Sequence, residues 1–338
     1  MTGLDPQNLP LLIAVILAGL AFDFVNGFHD ASNSIATIVA TRVLKPRQAV
    51  LWAASFNFMA LFFFGTGVAK MVGSGLVALD AVTPTVVLCG LVAATLWGLA
   101  TWRLGLPSSS SHALLGGYAG AAIANNAFHK GWHAASDCIV ASGWIGVLLF
   151  ILLAPVIGLF LSYILMIITG RFKKRPKLYK RLQLISSAFL SMMHGSNDAQ
   201  KTAGILASAL LSAGALRSFS IPFWVLAMSY VTMGLGTLFG GWRIVKTMGF
   251  KLTRLQPQGG VCAESAAAMS IFIATLFGLP VSTTHVTTGA ILGVGSAENP
   301  HKVRWKIGRH IAWAWILTIP ASALIGGFVI CAAKILQR

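Results

Sequence analysis

Charge is scarce in this chain. Of its 338 residues only 10% are Asp, Glu, Lys or Arg, and the acids number eight, where a soluble domain carries about a quarter charged residues. That scarcity excludes an ordinary soluble protein. With 56% hydrophobic residues and a mean hydropathy of +0.79, the composition is that of an integral membrane protein. Cysteine is also sparse: Cys89, Cys138, Cys262 and Cys331 are scattered, with no CxxC pair and no metal-ligand spacing. They read as small packing residues, which removes transition-metal catalysis. No Lys or Arg precedes the first apolar run and no clear small-residue cleavage site follows it, so a cleaved signal peptide is not expected.

The few charges are unevenly placed. The net charge of +17 comes largely from four stretches between apolar runs, Arg42 to Arg47, Arg171 to Arg181, Arg243 to Arg254 and Lys302 to Arg309, which hold eighteen of the twenty-five Lys and Arg. Basic residues confined to interhelical stretches follow the positive-inside bias of a multi-pass protein lying against anionic lipid, not a nucleic-acid surface. Membrane lipid is therefore an expected partner and nucleic acid is not.

What the sequence does have, it has twice. Gly105-Leu106-Pro107-Ser108-Ser109-Ser110-Ser111-His112 returns 173 residues later as Gly278-Leu279-Pro280-Val281-Ser282-Thr283-Thr284-His285. Upstream of each copy lies a second pair, Asn26-Gly27-Phe28-His29-Asp30-Ala31-Ser32-Asn33 and His194-Gly195-Ser196-Asn197-Asp198-Ala199-Gln200-Lys201, offset by 168. Polar groups at membrane depth cost several kcal/mol each unless they are satisfied or line a cavity. Broken helices in matching positions of two halves point to a secondary transporter's substrate site.

With all four basic stretches on the cytoplasmic side, the chain reads as an all-α polytopic membrane protein of two inverted-topology repeats. Each repeat has a broken helix, two further spans and a re-entrant helical hairpin. Repeat one, residues 1–170, places the broken span over Leu9 to Thr41, a second span over Gln48 to Met71, a hairpin over Pro84 to Ala124, and a long helix over Cys138 to Thr169 bent at Pro155. A basic cytoplasmic linker covers residues 171–183. Repeat two, residues 184–338, runs the same course from the opposite face: Leu184 to Ala215, Ile221 to Gly241, Gly259 to Gly295, and Gly308 to Ala333. Both termini are then extracytoplasmic.

The chemistry divides between the two motif types. Ser108, Ser109, Ser110 and Ser111, with Ser282, Thr283 and Thr284, follow Pro107 and Pro280 and open helix-like runs. Hydroxyls, unpaired amides and a helix dipole's positive end make such tips ready anion sites; simple helix capping is the plainer role for the same residues. Asp30 and Asp198 are carboxylates suited to Na⁺ or a proton. Asn26, Asn33, Asn197 and Gln200 supply neutral oxygens and N–H donors for a cation or oxyanion shell. Glu264 and Asp23 are further candidates for a coupling cation or proton. His29, His112, His194 and His285 sit inside the motifs and rank behind the acids.

His29-Asp30-Ala31-Ser32-Asn33 and Gly195-Ser196-Asn197-Asp198, each followed by Gly-Leu-Pro-x-Ser-x-x-His, resemble the PiT family of inorganic phosphate transporters over essentially the whole chain. The resemblance implies an inverted-repeat symporter of the cytoplasmic membrane that moves phosphate, in some members as a metal–phosphate complex, with Na⁺ or H⁺ into the cell. It also implies a homodimer and no cofactor. It carries phosphate-site roles onto Ser109, Ser110, Ser282, Thr283, Thr284, Asn33, Asn197 and Gln200, and coupling roles onto Asp30 and Asp198. The central linker is shorter than the cytoplasmic loop of several relatives. A sulfate permease on the same scaffold is the nearest alternative. Phosphate, however, keeps a proton to donate at neutral pH, which suits a buried carboxylate acceptor. A passive anion channel has little use for midplane carboxylates. An enzyme is disfavoured because Ser111–His112 and Thr284–His285 are adjacent in sequence, a poor geometry for a nucleophile and its base.

Overall fold

Every long apolar run in the sequence becomes a helix. The computed structural model describes residues 8–172 and 175–336; Lys173, Lys174 and both chain ends lie outside the described residues. Within the described residues the chain is all helical, with a single isolated bridge between Val77 and Ile139. The helices are α1 (Leu9–Ala40), α2 (Pro46–Met59), α3 (Gly67–Ser74), α4 (Pro84–Leu104), α5 (Ser110–Lys130) and α6 (Ala141–Gly170) in the first half. The second half holds α7 (Pro176–Ser212), α8 (Phe223–Phe239), α9 (Trp242–Lys246), α10 (Pro257–Leu276), α11 (Thr283–Glu298) and α12 (Trp305–Leu336). Helix α7 thus starts inside the stretch assigned to the linker.

Two expectations are corrected. The Asn26–Asp30 and His194–Gln200 motifs do not break their helices: α1 and α7 run without interruption through them. Asp23, Asn26, Asp30, Asn33 and Thr37 recur every three or four residues, so one face of an intact α-helix carries them all inward. Neither motif contains proline to interrupt the backbone ladder. The breaks fall on the neighbouring spans. The helical run Pro46–Phe62 meets α3 at 83°, so Gln48 to Met71 is not one straight span, and α8 meets the Trp242–Lys251 run at 59°. The second of these bends falls at Gly240, whose φ of +63° only glycine adopts without strain.

The two predicted hairpins are α4–α5 and α10–α11. Gly105 and Gly278, matched across the halves, end α4 and follow α10 in the left-handed region at φ +66° and +67°, turning the chain back at each tip. Each returning helix packs on the long helix of the other half: α5 lies on α12 and α11 on α6. The approach is backbone to backbone. A Cβ at Gly120 would lie 2.1 Å from the Ala323 carbonyl oxygen, and one at Gly289 2.1 Å from that of Pro155. Small residues are what let helices approach this closely in a membrane.

The outside is greasy, and the interior holds polar and charged side chains among its apolar packing. Leu152 on α6 and Leu324 and Phe328 on α12 are 71%, 76% and 75% exposed, while Asp23, Asp30, Asp198 and Glu264 are fully buried. Among the described residues five helices are long and apolar enough to cross a bilayer, and up to seven spans result if each bent pair counts as one.

Candidate anion and cation site

Helices α1 and α7 present the acidic motifs, and the two hairpin tips close over them. Ser110 donates to Asp30 Oδ2 at 2.6 Å, and its counterpart Thr283 donates to Asp198 Oδ2 at 3.1 Å. The tips also cross between halves. Thr284 donates to Asp30 Oδ1 at 3.4 Å, and Asn33 Nδ2 donates to Thr283 at 3.1 Å and to Thr284 at 2.9 Å. Lys201 Nζ donates to Asp198 Oδ1 at 2.7 Å, to the Val281 carbonyl at 2.6 Å and to the Ser111 hydroxyl. Asp30 and Asp198 are each only 1% exposed, so the cluster is closed to solvent. A carboxylate oxygen from each and one nitrogen of His194 lie within 4.8 Å of one another, a grouping able to hold a cation.

The capping role and the binding role divide among neighbours. Ser109 and Ser282 are N-caps of α5 and α11, accepting from the His112 amide at 3.1 Å and the His285 amide at 3.3 Å. Asn197 clamps the second tip: it accepts from the Val281 amide at 3.2 Å and donates to Thr275 at 3.0 Å and to the Leu279 carbonyl at 3.2 Å. Gln200 accepts from the Ala69 amide of α3 at 3.3 Å, turned to a different neighbour from the carboxylates.

Glu264 and Asp23 are the other two buried acids among the described residues. Glu264 on α10 accepts from Thr37 at 2.6 Å, from Gln183 at 2.8 Å and from Ser186, three donors that satisfy a buried carboxylate. Asp23 is buried with neither oxygen closing a hydrogen bond; its polar neighbours are the hydroxyls of Thr202 and Ser229, themselves unpaired. Asn26 is buried with its Oδ1 unpaired.

Of the imidazoles, His29 bonds Asp30 Oδ1 at 2.6 Å and Thr101 at 3.1 Å, and His194 lies 3.1 Å from Asp198. His112 and His285 instead meet ring edge to face at 4.6 Å, with His285 stacked on Trp315 at 4.0 Å. Sequence reasoning offered Lys201 only as a salt-bridge partner for Asp198, which it is, and not as a site residue, although the 168-residue offset sets it in the place of Asn33. It had no linear signal for Thr37, Gln183 and Ser186, which meet Glu264 only through the packing of α1 and α7 on α10.

Known proteins resemble this chain over most of its length. The model of the phosphate transporter family matches residues 26–177 and again 170–326. A probable low-affinity inorganic phosphate transporter of Rhizobium meliloti is 47% identical over 333 residues, covering 96% of this chain and 97% of the relative. One from Bacillus subtilis is 42% identical over 94% of this chain and 96% of its own. A solved structure titled a sodium-dependent phosphate transporter shares the fold, with a TM-score of 0.86 at 24% identity over 96% of this chain and 99% of the other. The chain belongs to the phosphate transporter family, and is a membrane transporter and not an enzyme.

Proposed function

We propose that the chain is a secondary active phosphate transporter, bringing phosphate, alone or with a bound metal cation, into the cytoplasm together with Na⁺ or H⁺. The observation that carries this reading is the engagement of tip hydroxyls by helix carboxylates: Ser110 on Asp30 and Thr283 on Asp198. A hydroxyl has one proton to donate. While it serves the carboxylate it cannot serve an oxyanion. A cation or proton arriving at Asp30 takes over the carboxylate's charge and releases the Ser110 proton for phosphate. Cation and anion then bind together, and a dianion does not face bare carboxylates in a low-dielectric site. That the cluster is closed to solvent fits a carrier that opens alternately, not a channel.

The doubled motifs, offset by 168 and 173 residues, support an organisation as repeats 1–170 and 184–338 of opposite topology around the 171–183 linker, with the hairpins re-entrant. The basic stretches favour a cytoplasmic linker and extracytoplasmic termini in this reading. A homodimer is the assembly that the family resemblance implies. The test is uptake by purified protein in liposomes, with phosphate and sulfate offered under separately imposed Na⁺ and H⁺ gradients. Phosphate accumulation driven by one of those gradients supports the reading; sulfate accumulation in its place, or uptake indifferent to both gradients, overturns it.

A further inference from the structure

Lys201 is the one buried Lys or Arg among the described residues, and it is only 2% exposed. An ammonium withdrawn from water is retained only if its protons are taken. Here a carboxylate, a hydroxyl and the carbonyl of Val281 take them, the last from a stretch of the second tip that is not helical. Carboxylates and unwound carbonyls are the groups with which transporters hold a coupling cation.

The first half shows what stands there otherwise. The offset that carries Asp30 onto Asp198 carries Asn33 onto Lys201. The hydrogen bonds match: Asn33 donates to Thr284 at 2.9 Å, and Lys201 donates to Ser111, the residue matched to Thr284 in the other tip. Asn33 Oδ1 is buried and unpaired. Beside Asp30 the first half therefore offers an open amide oxygen, and beside Asp198 the second half supplies a fixed positive charge.

We propose that Lys201 is a built-in cation. Its ammonium fills beside Asp198 the place that an exchangeable coupling cation takes beside Asp30 and Asn33, so each cycle carries one coupling cation fewer than an Asn in both halves would allow. This rests on the reading of the chain as a cation-coupled phosphate carrier. The experiment compares wild-type and Lys201→Asn protein in liposomes, measuring the reversal potential of phosphate transport under set ion gradients, which gives cations moved per phosphate. The expected result is one more cation per phosphate in Lys201→Asn; an unchanged ratio in a variant that still transports overturns the proposal, because a purely structural lysine would not set the ratio. Wild-type protein that moves no phosphate overturns the parent reading and this inference with it. Should Lys201→Asn fail to transport, its melting temperature in detergent is read in NaCl and in choline chloride of equal ionic strength. Stabilisation by Na⁺ beyond that of wild type supports an emptied cation cradle, and an equal response in both proteins contradicts it.

Discussion

The Ser110 hydroxyl lies 2.6 Å from Asp30 Oδ2, so the first hairpin tip is tied to the first acidic helix by a proton that an anion would also need. Replacing Ser110 or Thr283 with alanine deletes a donor to the anion and, in the same stroke, a competitor for the cation. Losing one hydrogen bond to a charged ligand costs about 1.5–3 kcal/mol, roughly ten- to a hundredfold in affinity. Phosphate binding to Ser110→Ala and to Thr283→Ala should weaken by that factor while cation affinity does not fall. Calorimetry with each ligand separately checks both halves of the statement, and wild-type phosphate affinity in the two variants would show that the tips do not hold the anion.

Glu264 has three donors around it, none of them shared with Asp30 or Asp198. Glu264→Gln keeps the size and removes the charge. If this acid carries a coupling cation or proton, the variant loses gradient-driven uptake yet still exchanges internal for external phosphate. Equal loss of both activities would assign Glu264 to folding.

The close contacts between returning hairpin helices and long helices predict a stability effect remote from the site. Gly289→Ala would put a methyl group 2.1 Å from the Pro155 carbonyl, and overpacking of this kind costs about 1–3 kcal/mol. Thermal unfolding of purified protein should show a lowered midpoint. Gly170, where an added methyl would meet nothing within 4 Å, serves as the control that should not shift.

The hairpins can be read from the sequence because their signals are local: proline, glycine and a hydroxyl-rich turn sit together at each tip, and Gly105 and Gly278 do adopt the left-handed conformation. The acidic motifs can be located in the same way, but their form cannot. Polar side chains do not break a helix, and the three- and four-residue spacing from Asp23 through Thr37 is a stripe on an intact one. The bend near Gly65 hides in an aromatic run that looks like an ordinary span. Contacts such as Lys201 with Ser111, ninety residues apart, depend on how α7 meets the first tip. The equivalence of Lys201 and Asn33 is nonetheless written in the repeat offset.

Topology gives a prediction independent of transport. With Cys331 replaced by serine, a cysteine introduced at exposed Lys177 should react with a membrane-impermeant reagent only from the cytoplasmic side. One at exposed Lys130 should react only from outside. The reverse pattern would invert the assigned orientation, and labelling of both from one side would break the proposed path.

The coupling of cation to anion through Asp30 and Asp198 is tested most directly by phosphate binding to purified wild type, Asp30→Asn and Asp198→Asn across Na⁺ concentration and pH. Linkage is reciprocal: a cation that raises phosphate affinity must itself be held more tightly in phosphate's presence, by the same factor. Wild type should show phosphate affinity rising with Na⁺ or with acidity. Asp30→Asn, which keeps the shape and deletes the charge, should bind what phosphate it still binds with that dependence lost; Asp198→Asn should lose it as well, because Lys201, deprived of its carboxylate, is left to neutralise Asp30 in the coupling cation's stead. Full wild-type cation dependence in both variants would contradict the account and leave the two carboxylates a structural role only.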